Sequence, residues 1–320
     1  MHNILGFRQY LKSENSYKDL EKIITERDSF FPTRDGFVTI VAMCGDDPSA
    51  FIKQKKLDEK VVIYPFAAWE ENAQKVAGVY KKSKKELQKV QLIYYSNNPE
   101  GLTYPLELLV EIAKLLDFKN LAVSDSDFQM PYKELRRAYD FHIAISDSAD
   151  EALITYPRRK IRALDFDKYP INRLAMEDLE NMYIYMLSDL NTIAQKADFQ
   201  SGLSITNSAA HDHLDFTNVG SWIGNLHMAI QVIHNKGRLE NNFIVETNVQ
   251  NESTINFDVQ CAKIDQLYKY YLIPLSNICL LASDHPERYL MPDWTADKTK
   301  DEIKNTIDQI LEMYLNRKKA

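Results

Sequence analysis

Cysteine is scarce in this sequence. The three cysteines, Cys44, Cys261 and Cys279, are widely separated along the chain. An odd, scattered set does not make a disulfide framework, so we expect reduced thiols in the core of a cytoplasmic protein. The chain also lacks an apolar run of about 18 residues, the length that a transmembrane helix needs. Its first residues, Met1–Ile4, lack the basic and apolar regions of a signal peptide. We therefore expect a cytoplasmic protein without a transmembrane segment.

Basic residues are outnumbered, since 39 Lys and Arg against 46 Asp and Glu give a net charge of −7. Proteins that bind a nucleic-acid backbone usually present a basic face, so we expect no nucleic-acid partner. Glycine is also scarce, at 9 residues, and no G-x-G-x-x-G follows the first apolar run, Phe37–Met43. A Rossmann dehydrogenase needs that motif to bring its backbone close to a pyrophosphate, so this class is excluded.

Apolar runs alternate with helical patterns in the first part of the chain. Strands are predicted at Phe37–Met43, Val61–Phe66, Val90–Tyr95 and Leu121–Val123, and helices at Glu70–Gln88 and Leu106–Leu116. Strands that alternate with helices imply an α/β fold with a mostly parallel sheet.

The second part of the chain mixes shorter and longer elements. Helices are predicted at Tyr132–Tyr139, Arg173–Leu190 and Ser221–Ile233, and strands at Phe141–Ile145, within Glu151–Pro157, at the end of Ala197–Asn207 and at Asn242–Thr247. From Asp258 onward the pattern is helical. We therefore expect a helical lead-in over residues 1–34, a sheet domain over residues 35–257 and a helical C-terminal segment over residues 258–320.

Two acids follow the run Leu121–Val123, in Asp125-Ser126-Asp127. We expect a buried strand to surface here at its carboxyl end, where ligands of open α/β sheets bind. Residues i and i+2 of an extended segment point the same way, so both carboxylates can face one point. They repel each other unless a cation lies between them, and a hard divalent ion that carries phosphate oxygens would fit. The alternative is an ordinary solvated turn.

The order of elements and motifs resembles that of the GT-A-fold glycosyltransferases and, within them, of the mannosylglycerate synthases. The resemblance covers roughly Gly36 to Leu281 and rests on element order and short motifs. It implies a GT-A-like, Rossmann-like sheet flanked by helices. It also implies that Asp125 and Asp127 bind Mn²⁺ or Mg²⁺, which holds the diphosphate of a sugar nucleotide, and that Asp127 takes part in catalysis.

The resemblance further implies a nucleotide site at the ends of the first strands. Asp46 or Asp47 would accept a hydrogen bond from the base, and Asn98, Glu100 and Gly101 would contact the nucleotide and the sugar. All five follow a predicted strand.

After Asp125-Ser126-Asp127 in the sequence, the resemblance assigns the basic segment Arg158-Arg159 to a carboxylate or phosphate, which a guanidinium fork suits. A solvated loop is the alternative for most of the cations there. Gln200, in Gln200-Ser201-Gly202, would lie under the sugar or the acceptor, and a plain turn is the alternative.

Two features depart from the family pattern. Family members often supply a third metal ligand, usually His, from a late loop, whereas the corresponding Thr247–Phe257 has no His. Glu252, Asn256, Asp258 or water could replace it.

Many members also have an acid at the start of the helix that begins here at Ser221, and Ser221–Asn225 has none. The nearest substitutes are Asp212 and Asp215 in the cluster His211–Asp215. That cluster could supply a general base or ligate a metal, but a surface loop with helix-capping Asp residues is favoured.

The sequence therefore predicts metal-dependent transfer of a sugar from a nucleoside-diphosphate sugar to the hydroxyl of an unidentified acceptor. A nucleotidyltransferase is one alternative, although the acidic Cys44–Asp47 stands where such enzymes usually have a glycine-rich, basic phosphate loop. A non-catalytic or degenerate nucleotide-binding α/β protein is the other. The apolar C-terminal helices would pack inward by default, or against a second copy in a homo-oligomer.

Overall fold

The structure is a computed structural model of the chain. The residues that it describes are 39–44, 62–67, 90–95, 103–115, 117–125, 131–146, 150–160, 198–199, 201–217, 219 and 223–247, with residues 25 and 266. Within this part, helices are all too short or too polar to cross a membrane. The predicted helices Glu70–Gln88 and Arg173–Leu190 lie outside the described residues.

Seven of the described strands form one mixed sheet, and two more form a small parallel pair. In chain order they are β1 Thr39–Cys44, β2 Val62–Ala67, β3 Val90–Tyr95, β4 Asn120–Asp125, β5 Leu153–Thr155, β6 Arg158–Arg159, β7 Leu203–Asn207, β8 Arg238–Glu240 and β9 Ile244–Val245. The order across the large sheet is β3-β2-β1-β4-β7-β5-β8, and β6 pairs with β9. Strand β7 is antiparallel to both of its neighbours, and the other adjacent pairs are parallel. The predicted α/β class with a mostly parallel sheet is confirmed for the described residues.

Four helices are described, and the longer ones form because their apolar residues recur at helical spacing. They are α1 Thr103–Leu115, α2 Tyr132–Ser146, α3 Ser208–His211 and α4 Gly224–His234. In α1 the buried residues Leu106, Leu109, Val110 and Ala113 follow the i, i+3, i+4, i+7 pattern of one helix face.

Helix α2 packs against strands β4, β7 and β9. Its residues Leu135, Ala138 and Tyr139 form one buried cluster with side chains of three strands. The strand residues are Ala122, Leu203, Ile205 and Val245. This packing fixes β4 and β7 side by side beneath α2.

The predicted strand at Phe141–Ile145 is wrong, because α2 continues through it to Ser146. His142 is fully buried and extends the stripe of Leu135, Ala138 and Tyr139 by one more turn. A short apolar run does not distinguish a strand from the end of a helix. Here the segment is helical because it continues the buried face of α2.

Helices α1 and α4 approach each other closely at Gly224. A methyl group at this position would lie 2.8 Å from Cα of Thr103 and 2.9 Å from Cδ1 of Leu106. We expect Gly224→Ala to lower the free energy of unfolding by about 1–3 kcal/mol, because a backbone atom cannot move aside cheaply. Urea denaturation measures this. The exposed His234, at the end of α4, gives the control: His234→Ala should change the value by less than about 0.5 kcal/mol.

Candidate functional site

The parallel strands of the sheet end at one edge, which we name the carboxyl edge. Strand β1 ends there at Cys44, β3 at Tyr95 and β4 at Asp125. The segments that carry the predicted nucleotide-binding residues therefore start from this edge. The residues themselves, which are Asp46, Asp47, Asn98, Glu100 and Gly101, lie outside the described part of the chain.

Asp125 is the last residue of β4, and its Cα pairs with that of Ala42 in β1. The chain runs from β1 to β2 and β3 on one side, whereas β4 lies on the other side of β1. Such a reversal of strand order is a topological switch point, and ligands of open α/β sheets bind in the crevice outside it. The backbone thus brings the first acid of Asp125-Ser126-Asp127 to the point where a ligand is expected. Asp127 lies outside the described residues.

A turn that leads into β7 lies next to this point. Leu203, the first residue of β7, pairs with Ser124, so β7 starts at the carboxyl edge and runs away from it. Within the turn, the backbone N–H of Ser201 donates to the carbonyl oxygen of Asp198 at 3.2 Å. Gly202 has a φ of 72°, which favours glycine. The segment of the predicted Gln200 is therefore at the carboxyl edge, although Gln200 itself lies outside the described residues.

The basic segment reaches the same edge from β5, which is antiparallel to β7. Arg159 is buried, and its Nε and Nη2 donate to the two carboxylate oxygens of Asp198, each at 2.8 Å. Its backbone N–H donates to Oδ2 of Asp198 at 3.1 Å. Arg158 is half-buried, and its Nε donates to the carbonyl oxygen of Asn241 at 3.2 Å. The assignment of both arginines to a carboxylate or phosphate of a ligand stays a prediction, and Arg159 has a protein carboxylate as partner.

Helix α3, which leads into the cluster His211–Asp215, starts at the opposite edge, which we name the amino edge. Asn207 ends β7 opposite Asn120, the first residue of β4, and the N–H of Ser208 donates to the carbonyl oxygen of Lys119 at 2.7 Å. Five residue steps separate Asn120 from Asp125, which is roughly 16 Å along an extended strand. The start of α3, at Ser208, therefore lies at the other end of β4 from Asp125.

The side chains of this cluster also fail to converge. His211 is buried and bonds to Oγ1 of Thr206 at 3.0 Å, whereas Asp212 and Asp215 are exposed. The side chain of Thr217 and its backbone N–H, the latter at 2.9 Å, both donate hydrogen bonds to the carboxylate of Asp215. These two hydrogen bonds hold the pKa of the Asp215 carboxyl below its ordinary value. Asp212 is the C-cap residue of α3. The loop interpretation fits this geometry, and among the described residues no three His, Cys, Asp or Glu side chains form a group that could hold a metal.

A buried polar network near the amino edge was missed by the sequence reasoning. Nδ1 of His142 bonds to Oγ1 of Thr155 at 2.8 Å, and Nε2 bonds to Oδ1 of Asn120 at 3.2 Å. Burial, with a smaller effect of the Arg238 charge, lowers the pKa of His142 to about 3. A neutral imidazole therefore links α2 to β4 and β5, which is a structural role. The available signal was a histidine seven residues after Leu135 on an apolar helix face.

Asp198 was also missed as a participant in the site. It stands in the predicted loop, two residues before Gln200, and its carboxylate is the partner of Arg159.

No protein-family model matches this chain. No curated protein matches it either. The candidate site is therefore defined by the strand topology and by the residues that it gathers at the carboxyl edge.

Proposed function

We propose that this protein is a metal-dependent glycosyltransferase with a GT-A-like fold. It would move a sugar from a nucleoside-diphosphate sugar to the hydroxyl of an acceptor. The observation that carries the proposal is the position of Asp125, the last residue of β4, at the switch point between β1 and β4. The motif Asp125-Ser126-Asp127 therefore begins where a ligand of an open α/β sheet is expected to bind.

Asp125 and Asp127 are the residues that would hold Mn²⁺ or Mg²⁺, since hard divalent cations prefer carboxylate oxygens. When bound, such an ion neutralises charge that develops on the diphosphate as it leaves the sugar. The chain's own part is to bind the donor across the carboxyl edge and to keep the acceptor hydroxyl close to the anomeric carbon while water is excluded. The scattered cysteines support a cytoplasmic location for this chemistry.

A second candidate is a nucleotide-binding protein of the same fold without transfer activity. The direction of β7 favours it, because β7 leads away from Asp125 toward Asp212 and Asp215, which were the nearest substitutes for the acid that Ser221–Asn225 lacks. An enzyme that needs a carboxylate base would have to draw it from another segment. Binding of a sugar nucleotide without transfer or hydrolysis of its sugar would support this second candidate.

The first test is a thermal-shift screen of UDP, GDP, CDP and ADP, each with and without Mn²⁺. We expect one diphosphate to stabilise the wild-type protein only when Mn²⁺ is present, by about 2–3 kcal/mol at a hundredfold excess over its dissociation constant. Asp127→Asn should abolish this stabilisation, because it removes a carboxylate ligand.

Asp212→Asn is the matched control, since it neutralises an exposed aspartate at the other edge of the sheet. It should retain the full Mn²⁺-dependent shift. An unchanged shift in Asp127→Asn would contradict the metal site at Asp125-Ser126-Asp127. Absence of any shift in the wild-type protein would contradict nucleotide binding itself.

A further inference from the structure

A buried ion pair fixes the turn that precedes β7. The side chains of Arg159 and Asp198 are 3% and 1% exposed, and three hydrogen bonds from Arg159 converge on the Asp198 carboxylate. Two of these bonds come from the guanidinium in the parallel arrangement that gives both direction and strength. The pair joins β6 to a turn 39 residues further along the chain.

Packing holds the same turn from a second side. Phe199 is buried and meets Tyr156 edge to face, with ring centroids 5.2 Å apart. The hydroxyl of Tyr156 donates to the carbonyl oxygen of Asn225 in α4. The left-handed backbone of Gly202 lies in the same turn. The described residues of this turn, Asp198, Phe199, Ser201 and Gly202, are therefore anchored at the carboxyl edge by an ion pair and by packing, and we name them the 198–202 turn.

The position of the turn relative to β4 indicates which part of a donor it would meet. Strand β4 has β1 on one side and β7 on the other. A nucleotide at the switch point lies over β1 and β4. With the diphosphate at Asp125, a donor that continues across β4 would reach the start of β7, where Gly202 precedes Leu203.

We propose that Arg159 and Asp198 are positioning residues, and that they hold the 198–202 turn in the conformation that contacts the sugar of the donor. This inference rests on the proposed function. It gives Arg159 a role that differs from direct binding of a ligand anion. Rigid support of a contact matters because a displacement of about 1 Å at a reacting group can cost a hundredfold in rate.

The test compares the affinity for a sugar nucleotide with that for its parent diphosphate. Titration calorimetry with Mn²⁺ uses UDP-, GDP-, CDP- and ADP-glucose and the four diphosphates as probes. Arg159→Lys keeps the buried charge but loses the fork, so we expect about a tenfold weaker affinity for the bound sugar nucleotide and an unchanged affinity for its diphosphate. Lys160→Gln is the matched control, because Lys160 directly follows Arg159 in the chain and forms an exposed ion pair with Glu246. It should change neither affinity.

A double variant separates the positioning role from unfolding caused by a mismatched buried charge. Arg159→Gln with Asp198→Asn removes both charges together, and it should show the same selective loss of sugar affinity as Arg159→Lys. Equal weakening of both probes, or no weakening of either, in variants that unfold cooperatively would overturn the positioning role while leaving the proposed function intact. Failure of every probe to bind the wild-type protein would remove the proposed function and the positioning role with it.

Discussion

Replacing Asp198 with alanine is expected to lower the free energy of unfolding by about 3–5 kcal/mol, a large part of the total stability of a typical domain. The reason is that the buried guanidinium of Arg159 would lose the carboxylate that compensates its charge. The backbone N–H of Arg159 would lose its acceptor in the same change. Urea denaturation of the wild type and the variant at neutral pH measures the difference.

Two further variants separate this effect from other causes. Lys160→Ala breaks an ion pair whose side chains are 51% and 65% exposed, so it should cost less than about 1 kcal/mol. Replacing Arg159 by Met and Asp198 by Leu together should recover most of the loss, because no buried charge then remains at the pair. A loss in Asp198→Ala as small as that in Lys160→Ala would contradict the prediction, because it would show that the unpaired guanidinium of Arg159 is not costly in this position.

The first four strands of the sheet were predictable from local sequence. Each is a short apolar run that ends at charged or turn-forming residues, and β3 begins and ends where the sequence predicts, at Val90 and Tyr95. Strand β4 extends the predicted Leu121–Val123 to Asn120–Asp125. Strands of parallel sheets usually give continuous apolar runs, which makes them recognisable in a sequence.

Strand direction was not predictable, and it decides which candidate residues can share a site. Side chains alternate with the same period in parallel and antiparallel strands, so Leu203–Asn207 reads the same in either direction. Only its pairing with β4 shows that β7 starts beside Ser124 and ends beside Asn120. That direction puts the turn of Gln200 at the carboxyl edge and carries Asp212 to the amino edge.

The different environments of Arg158 and Arg159 were also beyond local reasoning. Successive residues of a strand point to opposite faces, so the sequence alone favours one of them facing inward. The choice depends on Asp198, which stands 39 residues away in the chain and accepts from Arg159. A buried arginine needs such a partner, and residue spacing does not reveal one at that separation.

Acid is expected to destabilise the protein through its buried histidines, which is the second large effect. Burial lowers the pKa of His142 and of His211 to about 3 each, with smaller contributions from the charges of Arg238 and Lys114 respectively. Their ordinary value is 6.5. Between pH 6.5 and 3 the unfolded chain therefore binds protons that the folded protein does not, so stability falls as pH falls through this range.

The expected loss at about pH 4.5 is roughly 2–3 kcal/mol for each histidine, relative to neutral pH. His142→Gln removes one of the two titrating groups. It should lower stability at neutral pH, because Thr155 and Asn120 lose their partner, yet reduce the further loss between neutral pH and about pH 4.5 by that amount. The exposed Asn235 provides the control, since Asn235→Gln removes no titrating group and should leave the pH dependence unchanged. Equal pH dependence in the wild type and His142→Gln, measured by urea denaturation, would contradict the prediction, because it would mean that the pKa of His142 is the same in the folded and the unfolded protein.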